Sequence, residues 1–306
     1  MEANIFENLK SYGKVLKDEP MSSYTSFKTG GNADYLVYPA SINKCAELIE
    51  YLNKYEYNFT VLGGCTNLVV GDMGIRGVVI IISDLTEEFN EIRVIDDNTV
   101  YAGAGVKKSD FINFTAENDF DGMHFMVGIP GCIGGGIIMN AGTYMGTFSS
   151  VLKKVYYINN RGQSKSKEID STMGQYRHLD LEAECAVVTG ADFSLPKSDN
   201  KELVIQKIND IIEDRKQKHP WDYPSAGSVF KNPENEASWK LVNDCGLKGY
   251  SIGGAQVSEK HTNFIINKGE ANSAEIRALV SYIQSQVKIK YGIELHTEIR
   301  MIGEFH

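Results

Sequence analysis

The first third of the chain alternates short apolar runs with one amphipathic pattern. The run Tyr-Leu-Val-Tyr at 35–38 predicts a strand that ends at Pro39, because proline lacks the N–H that a strand ladder needs. A helix is predicted next, with Ser41 as its N-cap. Its buried face is indicated by apolar residues at helical spacing, Cys45, Leu48, Ile49 and Leu52. Strands are predicted at 59–62 and 77–82, the second a β-branched run typical of a buried strand.

The middle of the chain, 90–195, is richer in glycine and in short apolar runs. Two of these runs, 155–158 and 186–189, predict strands. The segment 196–201, Pro-Lys-Ser-Asp-Asn-Lys, is polar and turn-forming, so we interpret it as a linker between subdomains.

The last third contains the pattern of a long helix and a final strand. Asn272 is positioned to cap the helix while Glu275 reaches back to it, as in a capping box, and Gly292 ends the helix. The predicted buried stripe is Ile276, Leu279, Val280, Ile283 and Val287. A strand is predicted at 298–302. The whole pattern indicates an α+β or mixed α/β enzyme, and 306 residues exceed one hydrophobic core, so two or three subdomains are expected.

Composition narrows the class of protein. The net charge of −9 argues against general nucleic-acid binding, which needs a basic surface, although it permits a local site for a small anion. The N-terminus lacks the pattern of a secretory signal, and no run approaches the roughly 20 apolar residues of a membrane span. The cysteines are odd in number, namely Cys45, Cys65, Cys132, Cys185 and Cys245. We expect a cytoplasmic protein with reduced thiols, without nucleic-acid or membrane partners.

Two glycine-rich loops are the first candidate for a binding site. One is 63–67, Gly-Gly-Cys-Thr-Asn, directly after a predicted strand; the other is 127–136, followed by Asn-Ala-Gly at 140–142. Glycine lets backbone N–H groups approach a phosphate closely, so the pair favours a cofactor with a pyrophosphate. Tight turns are the alternative explanation for either loop taken singly. Neither loop fits the dinucleotide pattern G-x-G-x-x-G with a downstream acidic residue.

Three separated motifs resemble the FAD-binding domain of the vanillyl-alcohol-oxidase-like flavoproteins. These are 25–31, Thr-Ser-Phe-Lys-Thr-Gly-Gly, the loop at 63–67, and 128–131, Gly-Ile-Pro-Gly. Within that group, the run 225–233, Ser-Ala-Gly-Ser-Val-Phe-Lys-Asn-Pro, is similar to the UDP-N-acetylenolpyruvoylglucosamine reductases. Segments 246–249, 252–261 and 298–300 extend this resemblance, which covers nearly the whole chain from about residue 24 to 304.

The resemblance implies a flavin-mediated reduction in peptidoglycan precursor synthesis. NADPH would reduce a non-covalently bound FAD, and flavin N5 would pass a hydride to the enolpyruvyl group of a UDP-N-acetylglucosamine ether, giving UDP-N-acetylmuramate. It implies Ser228 as proton donor, Arg177 as a cation for the carboxylate and developing enolate, and Glu298 as a catalytic carboxylate. Without the family, these residues have ordinary explanations: a turn serine, a structural arginine and an exposed strand residue.

The binding residues follow from the same resemblance. It implies that FAD contacts both glycine loops and the segment after them: Gly63, Gly64, Cys65, Thr66, Asn67, Gly128, Ile129, Pro130, Gly131, Gly135, Gly136, Asn140, Ala141 and Gly142. Arg215 and Arg300 are further expected flavin contacts, with Arg300 on the same strand face as Glu298. The expected substrate contacts are Lys218, Lys231, Asn232 and Gln256. Arg215 and Lys218 also suit a simpler role as cations at a helix C-terminus.

Two departures from the family pattern concern cysteine. Cys65 and Cys132 stand where glycine and threonine are more usual. Some flavoproteins of the wider group bind flavin covalently through Cys or His, but a small buried cysteine more often packs as an apolar residue. The six histidines show no metal-ligand spacing, and no catalytic metal is expected.

The family has a longer and a shorter form, and the short span from Ala183 to Gly190 resembles the shorter one. We expect residues 1–84 and 85–200 to form two FAD-binding subdomains, and 201–297 to form a substrate-binding domain. The C-terminal strand, 298–306, is expected to rejoin the first subdomain. A monomer is expected, although the sequence does not define an oligomeric state.

Two other functions fit part of the pattern. An oxidase of the same flavoprotein group, acting on an alcohol or sugar, would need a base in place of the proton donor Ser228. A non-catalytic nucleotide-binding protein would have no need for Ser228, Arg177 and Glu298 together.

Overall fold

The structure is a computed structural model that describes residues 5–181 and 185–306. Residues 182–184, which fall in the span used to predict the shorter family form, lie outside the described residues. The helices are α1 (Ile5–Leu9), α2 (Ile42–Lys54), α3 (Lys108–Glu117), α4 (Ile133–Ile138), α5 (Lys201–Lys218), α6 (Ser238–Asp244) and α7 (Ser273–Tyr291). The strands in the first two thirds are β1 (Gly13–Pro20), β2 (Asn32–Pro39), β3 (Phe59–Leu62), β4 (Leu68–Val70), β5 (Ile75–Ile81), β6 (Ile92–Asp96), β7 (Thr99–Gly103), β8 (Gly142–Thr143), β9 (Gly146–Thr147), β10 (Leu152–Asn159), β11 (Ser164–Glu168), β12 (Gly174–Gln175), β13 (His178–Leu179) and β14 (Cys185–Ser194). The remaining strands are β15 (Ser251–Ile252), β16 (Ala255–Val257), β17 (Ile265–Asn267) and β18 (Arg300–Ile302).

The chain forms two compact units, each with its own hydrophobic core. The first comprises 1–17, 35–64 and 77–213, and the second comprises 18–34, 65–76 and 214–306. The five predicted strands of the first two thirds are confirmed as β2, β3, β5, β10 and β14.

The first unit is built on two sheets. One has the order β1-β2-β5-β3, with β3 and β5 parallel. The other has the order β11-β10-β14-β7-β6 and is antiparallel throughout. Helix α2 packs its predicted stripe into this unit's core, and the Ser41 side chain accepts a hydrogen bond from the Lys44 N–H at 3.0 Å, which confirms the predicted N-cap.

The second unit packs helix α7 against a small antiparallel sheet, β15-β16-β17. The capping box between Asn272 and Glu275 is present, the five predicted stripe residues are buried, and Gly292 ends the helix with a left-handed φ of 70°. Strand β18 pairs in parallel with β4, so Arg300 lies opposite Leu68.

The segment predicted as a linker is held by the backbone of its own unit. The Pro196 carbonyl accepts a hydrogen bond from the Asp121 N–H, and the Ser198 N–H donates to the Asp119 carbonyl. The chain passes to the second unit inside α5, between Glu213 and Asp214. The division into three subdomains stays a prediction.

Candidate functional site

The two glycine-rich loops touch through their backbones at Gly64 and Gly131, both of which lie in the first unit. A Cβ atom added at Gly64 would lie 2.9 Å from the Gly131 Cα and 3.4 Å from the Cys132 Sγ. Gly128 and Gly131 have φ angles of 74° and 100°, which favour glycine. Close approach of the loops and the backbone conformation therefore both require glycine at these positions.

The paired loops also present open backbone surface. Gly64, Gly128 and Gly135 are exposed. A Cβ at Gly135 would have no described atom within 4 Å, so the start of helix α4 faces open space. Glycine backbone facing open space suits a cofactor that brings phosphate groups or a flat ring close to the main chain, and the loops fit FAD in this respect.

The other predicted cofactor glycines have internal roles. Gly136 is buried, and a Cβ there would lie 2.4 Å from the Phe148 ring. Gly142 is also buried, and a Cβ would lie 2.2 Å from the Gly146 carbonyl oxygen in the β8–β9 hairpin. Gly136 and Gly142 therefore support the second glycine-rich segment from its buried side. The exposed backbone belongs to Gly64, Gly128 and Gly135.

Arg177 lies at the tip of the β12–β13 hairpin, in the first unit. Its φ of 58° is left-handed, and its guanidinium carbon lies 4.9 Å from the Tyr176 ring centroid. The buried Asn140 ties this hairpin to the second glycine segment, because its Nδ2 donates to the Gln175 carbonyl at 2.9 Å. The same amide's Oδ1 accepts from the Ser149 N–H. The structure thus brings the arginine hairpin against the predicted cofactor segment 140–142.

Ser228 and Glu298 lie on neighbouring, hydrogen-bonded segments of the second unit. The Glu298 N–H donates to the carbonyl of Val229 at 2.8 Å, and the Lys231 N–H donates to the carbonyl of His296 at 2.9 Å. Ser228 follows Gly227, whose φ of 77° turns the chain, and precedes the fully buried Val229. The buried neighbour anchors the serine, which is itself half-buried.

Asn263 is a positioning residue that sequence reasoning missed. Its Oδ1 accepts from the Phe230 N–H, its Nδ2 donates to the Phe230 carbonyl, both at 2.9 Å, and its own carbonyl accepts from the Val229 N–H. A buried asparagine thereby holds the segment after Ser228 on both hydrogen-bonding edges. The available signal was its closeness to the quoted motif segment, which ends two residues earlier at His261.

Asn67 holds the segment around Glu298 and Arg300. Its Nδ2 donates to the Glu298 carbonyl at 3.0 Å, and its carbonyl accepts from the Arg300 N–H at 2.9 Å. The expectation that Glu298 and Arg300 share one strand is wrong: Glu298 lies in a bend, and β18 begins at Arg300. The physical reason is that the backbone changes its hydrogen-bonding partner here: Glu298 bonds to Val229, whereas β18 pairs with β4, the strand that follows Asn67.

Lys231 and Asn232 hold the start of helix α6 with their polar groups. The Asn232 Oδ1 accepts from the Ser238 N–H at 3.0 Å, and the Ser238 hydroxyl donates to the Lys231 carbonyl at 2.6 Å. Asn232 thus accepts from a backbone N–H at the start of α6, whose N-cap residue, Ala237, forms no side-chain hydrogen bond.

A cavity of about 210 Å³ lies in the second unit, beside predicted substrate residue Gln256. Lys260 and Lys268 line it, the first 3.3 Å from an Asp222 oxygen and the second 2.9 Å from the Tyr223 hydroxyl. The Gln256 Nε2 donates to the Gly249 carbonyl at 3.0 Å. Asp222 and Glu259 also line the cavity, so its two ammonium groups are accompanied by two carboxylates, and Lys260 pairs with Asp222.

Predicted contacts Arg215 and Lys218 lie in the last turn of α5. The Lys218 ammonium is exposed and lies 2.6 Å from an Asp214 carboxylate oxygen in the same helix. After them comes His219, whose ring centroid lies 5.4 Å from that of His261 and 5.0 Å from that of Phe264. Burial lowers the pKa of His219 to about 4, and burial also lowers the pKa of His261.

None of the five cysteines, all of which lie in the described parts of the chain, forms a disulfide. Cys65 and Cys132 are both buried in the glycine loops, and burial raises the pKa of the Cys132 thiol against the opposing effect of Lys108. No set of three His, Cys, Asp or Glu side chains in 5–181 and 185–306 is grouped as a metal site would require. Among the helices of the described chain, none is long and apolar enough to cross a membrane.

Two family models match the chain. One, described as an FAD binding domain, matches residues 33–165. The other, described as the C-terminal domain of UDP-N-acetylenolpyruvoylglucosamine reductase, matches residues 219–302.

Full-length relatives agree with these matches. The UDP-N-acetylenolpyruvoylglucosamine reductase of Caldanaerobacter subterraneus subsp. tengcongensis is 41% identical over 292 residues, which cover 95% of each chain. The enzyme of that name from Lachnoclostridium phytofermentans is 39% identical, covering 97% of this chain and 96% of its own. Among solved structures, the UDP-N-acetylenolpyruvylglucosamine reductase from Thermus caldophilus superimposes with a TM-score of 0.77 at 26% identity, covering 94% of this chain and 98% of its own.

Proposed function

The chain belongs to the UDP-N-acetylenolpyruvoylglucosamine reductase family and carries an FAD-binding domain, and from this premise we propose its substrate, reductant and catalytic residues. The fold expected from the resemblance, an FAD-binding domain followed by a C-terminal α+β domain, is confirmed. The proposed reaction is the NADPH-dependent reduction of UDP-N-acetylglucosamine enolpyruvate to UDP-N-acetylmuramate. We propose that it takes place in the cytoplasm, where nucleotide sugars and NADPH are made, and that the protein acts as a monomer.

The observation that carries the proposal is that the backbone segments of Ser228 and Glu298 are neighbours. The two residues belong to hydrogen-bonded neighbouring segments, through the Glu298 N–H and the Val229 carbonyl. Asn263 fixes one of these segments and Asn67 the other. A hydroxyl and a carboxylate on backbone segments fixed in this way would be preorganised for a proton transfer.

When bound and reduced, FAD would supply the hydride that the vinyl CH₂ carbon of the enolpyruvyl group receives. Ser228 then donates its hydroxyl proton to the neighbouring carbon, which completes the saturated lactyl ether. A serine hydroxyl is a weak acid, so the donor needs polar groups that stabilise the alkoxide left behind. Glu298 serves to orient or polarise the reacting enol, and the Arg177 guanidinium binds the substrate carboxylate, where negative charge develops.

The proposed binding residues divide between cofactor and substrate. The exposed backbone of the two glycine loops would hold FAD, supported by Gly136, Asn140 and Gly142 from behind and by the expected contacts Arg215 and Arg300. For the substrate, the cavity beside Gln256 offers Lys260 and Lys268 as cations for a diphosphate. Lys218, Lys231 and Asn232 remain proposed substrate contacts.

Anaerobic spectroscopy of the two half-reactions tests the function. The purified protein is expected to show flavin absorbance that bleaches with NADPH and returns when the enolpyruvyl substrate is added. A protein that takes up no FAD would contradict the proposal. Flavin reoxidised by oxygen but not by this substrate would identify an oxidase of the same flavoprotein group.

Ser228→Ala tests the proton donor. We expect flavin reduction by NADPH at the wild-type rate and a loss of substrate-dependent reoxidation of 10²-fold or more, because the variant lacks the donated proton. Ser228→Cys retains a proton donor and should recover part of the activity. Ser285→Ala, on the exposed face of α7, serves as the matched control. Wild-type reoxidation in Ser228→Ala would assign the proton to another group.

A further inference from the structure

Lys108 is a buried lysine behind the second glycine-rich loop. It is 5% exposed and is the first residue of α3. Its backbone N–H donates to the Gly131 carbonyl at 3.0 Å, and its ammonium Nζ donates to the Pro130 carbonyl at 2.9 Å. One side chain and its own backbone therefore hold two consecutive carbonyls of the proposed cofactor loop.

The fold of the first unit gives no reason to place a positive charge here. Burying an ammonium costs free energy unless an opposite charge compensates it, and a cation in the first turn of a helix opposes the helix dipole. Within the described parts of the chain, no carboxylate forms an ion pair with Lys108, and the nearby Arg177 adds a second positive charge. Mainly through burial, the pKa of Lys108 is lowered to about 8, so the ammonium remains the dominant form at neutral pH. A locally unfavourable charge of this kind is typical of a functional site.

Space for the lysine depends on a glycine of the same loop. A Cβ at Gly136 would lie 3.1 Å from the Lys108 Cε as well as against the Phe148 ring. The backbone of Lys107 also pairs with that of Cys132 in an isolated bridge. The loop, the lysine and the start of α3 form one connected structure.

We propose that Lys108 is a positioning residue for FAD: it holds the Pro130–Gly131 carbonyls in the cofactor-binding conformation, and anionic charge on the bound cofactor neutralises its ammonium. That charge has two possible sources, the pyrophosphate, which is present in both redox states, and the flavin ring, which gains negative charge on reduction. The inference rests on the proposed function in one respect, that FAD binds at the glycine-rich loops.

The test compares Lys108→Met, which lacks the charge and the donor, with Lys108→Gln, which lacks the charge but can still donate to a carbonyl. FAD affinity is measured by fluorescence titration of the apoprotein, and the midpoint potential of the bound flavin by equilibration with a reference dye. We expect Lys108→Met to bind FAD at least tenfold more weakly, since a charge-assisted hydrogen bond and a counter-charge are lost. Lys107→Met is the matched control, because Lys107 is exposed and its ammonium pairs with Asp84 at 2.5 Å.

Two results support the inference and identify the anion. An equal loss of affinity in both redox states points to the pyrophosphate. A tenfold loss confined to the reduced state, which makes the potential of a two-electron couple about 30 mV more negative, points to the flavin ring. Wild-type affinity and potential in both Lys108 variants would overturn the inference while leaving the proposed function intact. A wild-type protein that binds no FAD would overturn both.

Discussion

At the scale of single residues, the half-buried imidazoles of His219 and His261 link stability to pH. The rings pack edge to face, and His219 also faces Phe264 and lies near Arg215, Lys218 and Asp214. Burial, helped by the neighbouring positive charges, keeps the folded-state pKa of His219 at about 4, below its ordinary value of 6.5. The folded protein therefore binds a proton at His219 only at a lower pH than the unfolded chain does.

Acid should destabilise the protein partly through His219. Stability is unaffected above the ordinary pKa of 6.5, and it is lost as the pH falls from 6.5 towards 4, where the unfolded chain binds a proton that the folded state excludes. His219→Gln should flatten the fall in the free energy of unfolding over this range. Urea unfolding at pH 7, 5.5 and 4.5 measures it, with His306→Gln at an exposed position as control. Parallel pH profiles for wild type and His219→Gln would refute the assignment.

Residue by residue, the resemblance identified groups with distinctive chemistry and missed those with supporting roles. Ser228, Arg177 and Glu298 were proposed because they stand in ordered motifs. Asn263 and Lys108 were not, because an asparagine or lysine is ordinarily a surface residue and its burial depends on distant parts of the chain. Gly136 and Gly142 were predicted as cofactor contacts, yet both are buried and make room for other groups.

At the scale of elements, local signals predicted helix ends well. Ser41 caps α2, Asn272 and Glu275 cap α7, and Gly292 ends α7, because capping depends on residues within one turn of the helix end. Strand β18 was predicted to begin at Glu298 but begins at Arg300. Its start depends on where the chain stops bonding to Val229 and begins to pair with β4, the strand that follows Asn67. Sequence spacing does not encode this change of hydrogen-bonding partner.

The capping box of α7 should contribute measurably to stability. The Asn272 Oδ1 accepts from the Glu275 N–H at 2.8 Å, and Asp72 accepts from the N–H groups of Ser273 and Ala274 at 2.9 and 3.0 Å. Asn272→Ala should lower the free energy of unfolding by about 1 kcal/mol, measured by urea unfolding. Asn272→Ser, which keeps a capping oxygen, should retain most of the stability. Equal losses in the two variants would mean that the side-chain oxygen is not what stabilises the helix.

At the scale of the whole molecule, FAD should stabilise the folded protein by mass action. At a free concentration of 100 Kd, a ligand that binds only the folded state adds about 2.7 kcal/mol, which raises Tm by several degrees. FMN, which lacks the pyrophosphate bridge, should raise Tm less. Differential scanning calorimetry of the apoprotein with each flavin measures the difference, and equal shifts would argue against a pyrophosphate at the glycine loops.

Gly135→Ala distinguishes an effect on FAD binding from an effect on the stability of the fold. The added methyl group would meet no described atom within 4 Å, and alanine suits a helix better than glycine by about 1 kcal/mol, so the apoprotein Tm should be unchanged or slightly higher. The FAD-induced shift should nevertheless shrink, because the methyl group occupies space beside the proposed cofactor. An undiminished shift would place FAD away from this glycine.

The sequence by itself determined the elements, the family and the chemical identity of the candidate groups. These follow from hydrophobic periodicity, capping residues and ordered motifs, all of which act over short stretches of chain. Tertiary structure decided which polar groups support the site: Asn263 beside Phe230, Asn67 between Glu298 and Arg300, and Lys108 behind Pro130. It also decided that the chain changes unit inside α5, beyond the polar segment 196–201. The reason is that burial and hydrogen-bond partnership arise between segments far apart in sequence, and only the folded chain brings those segments together.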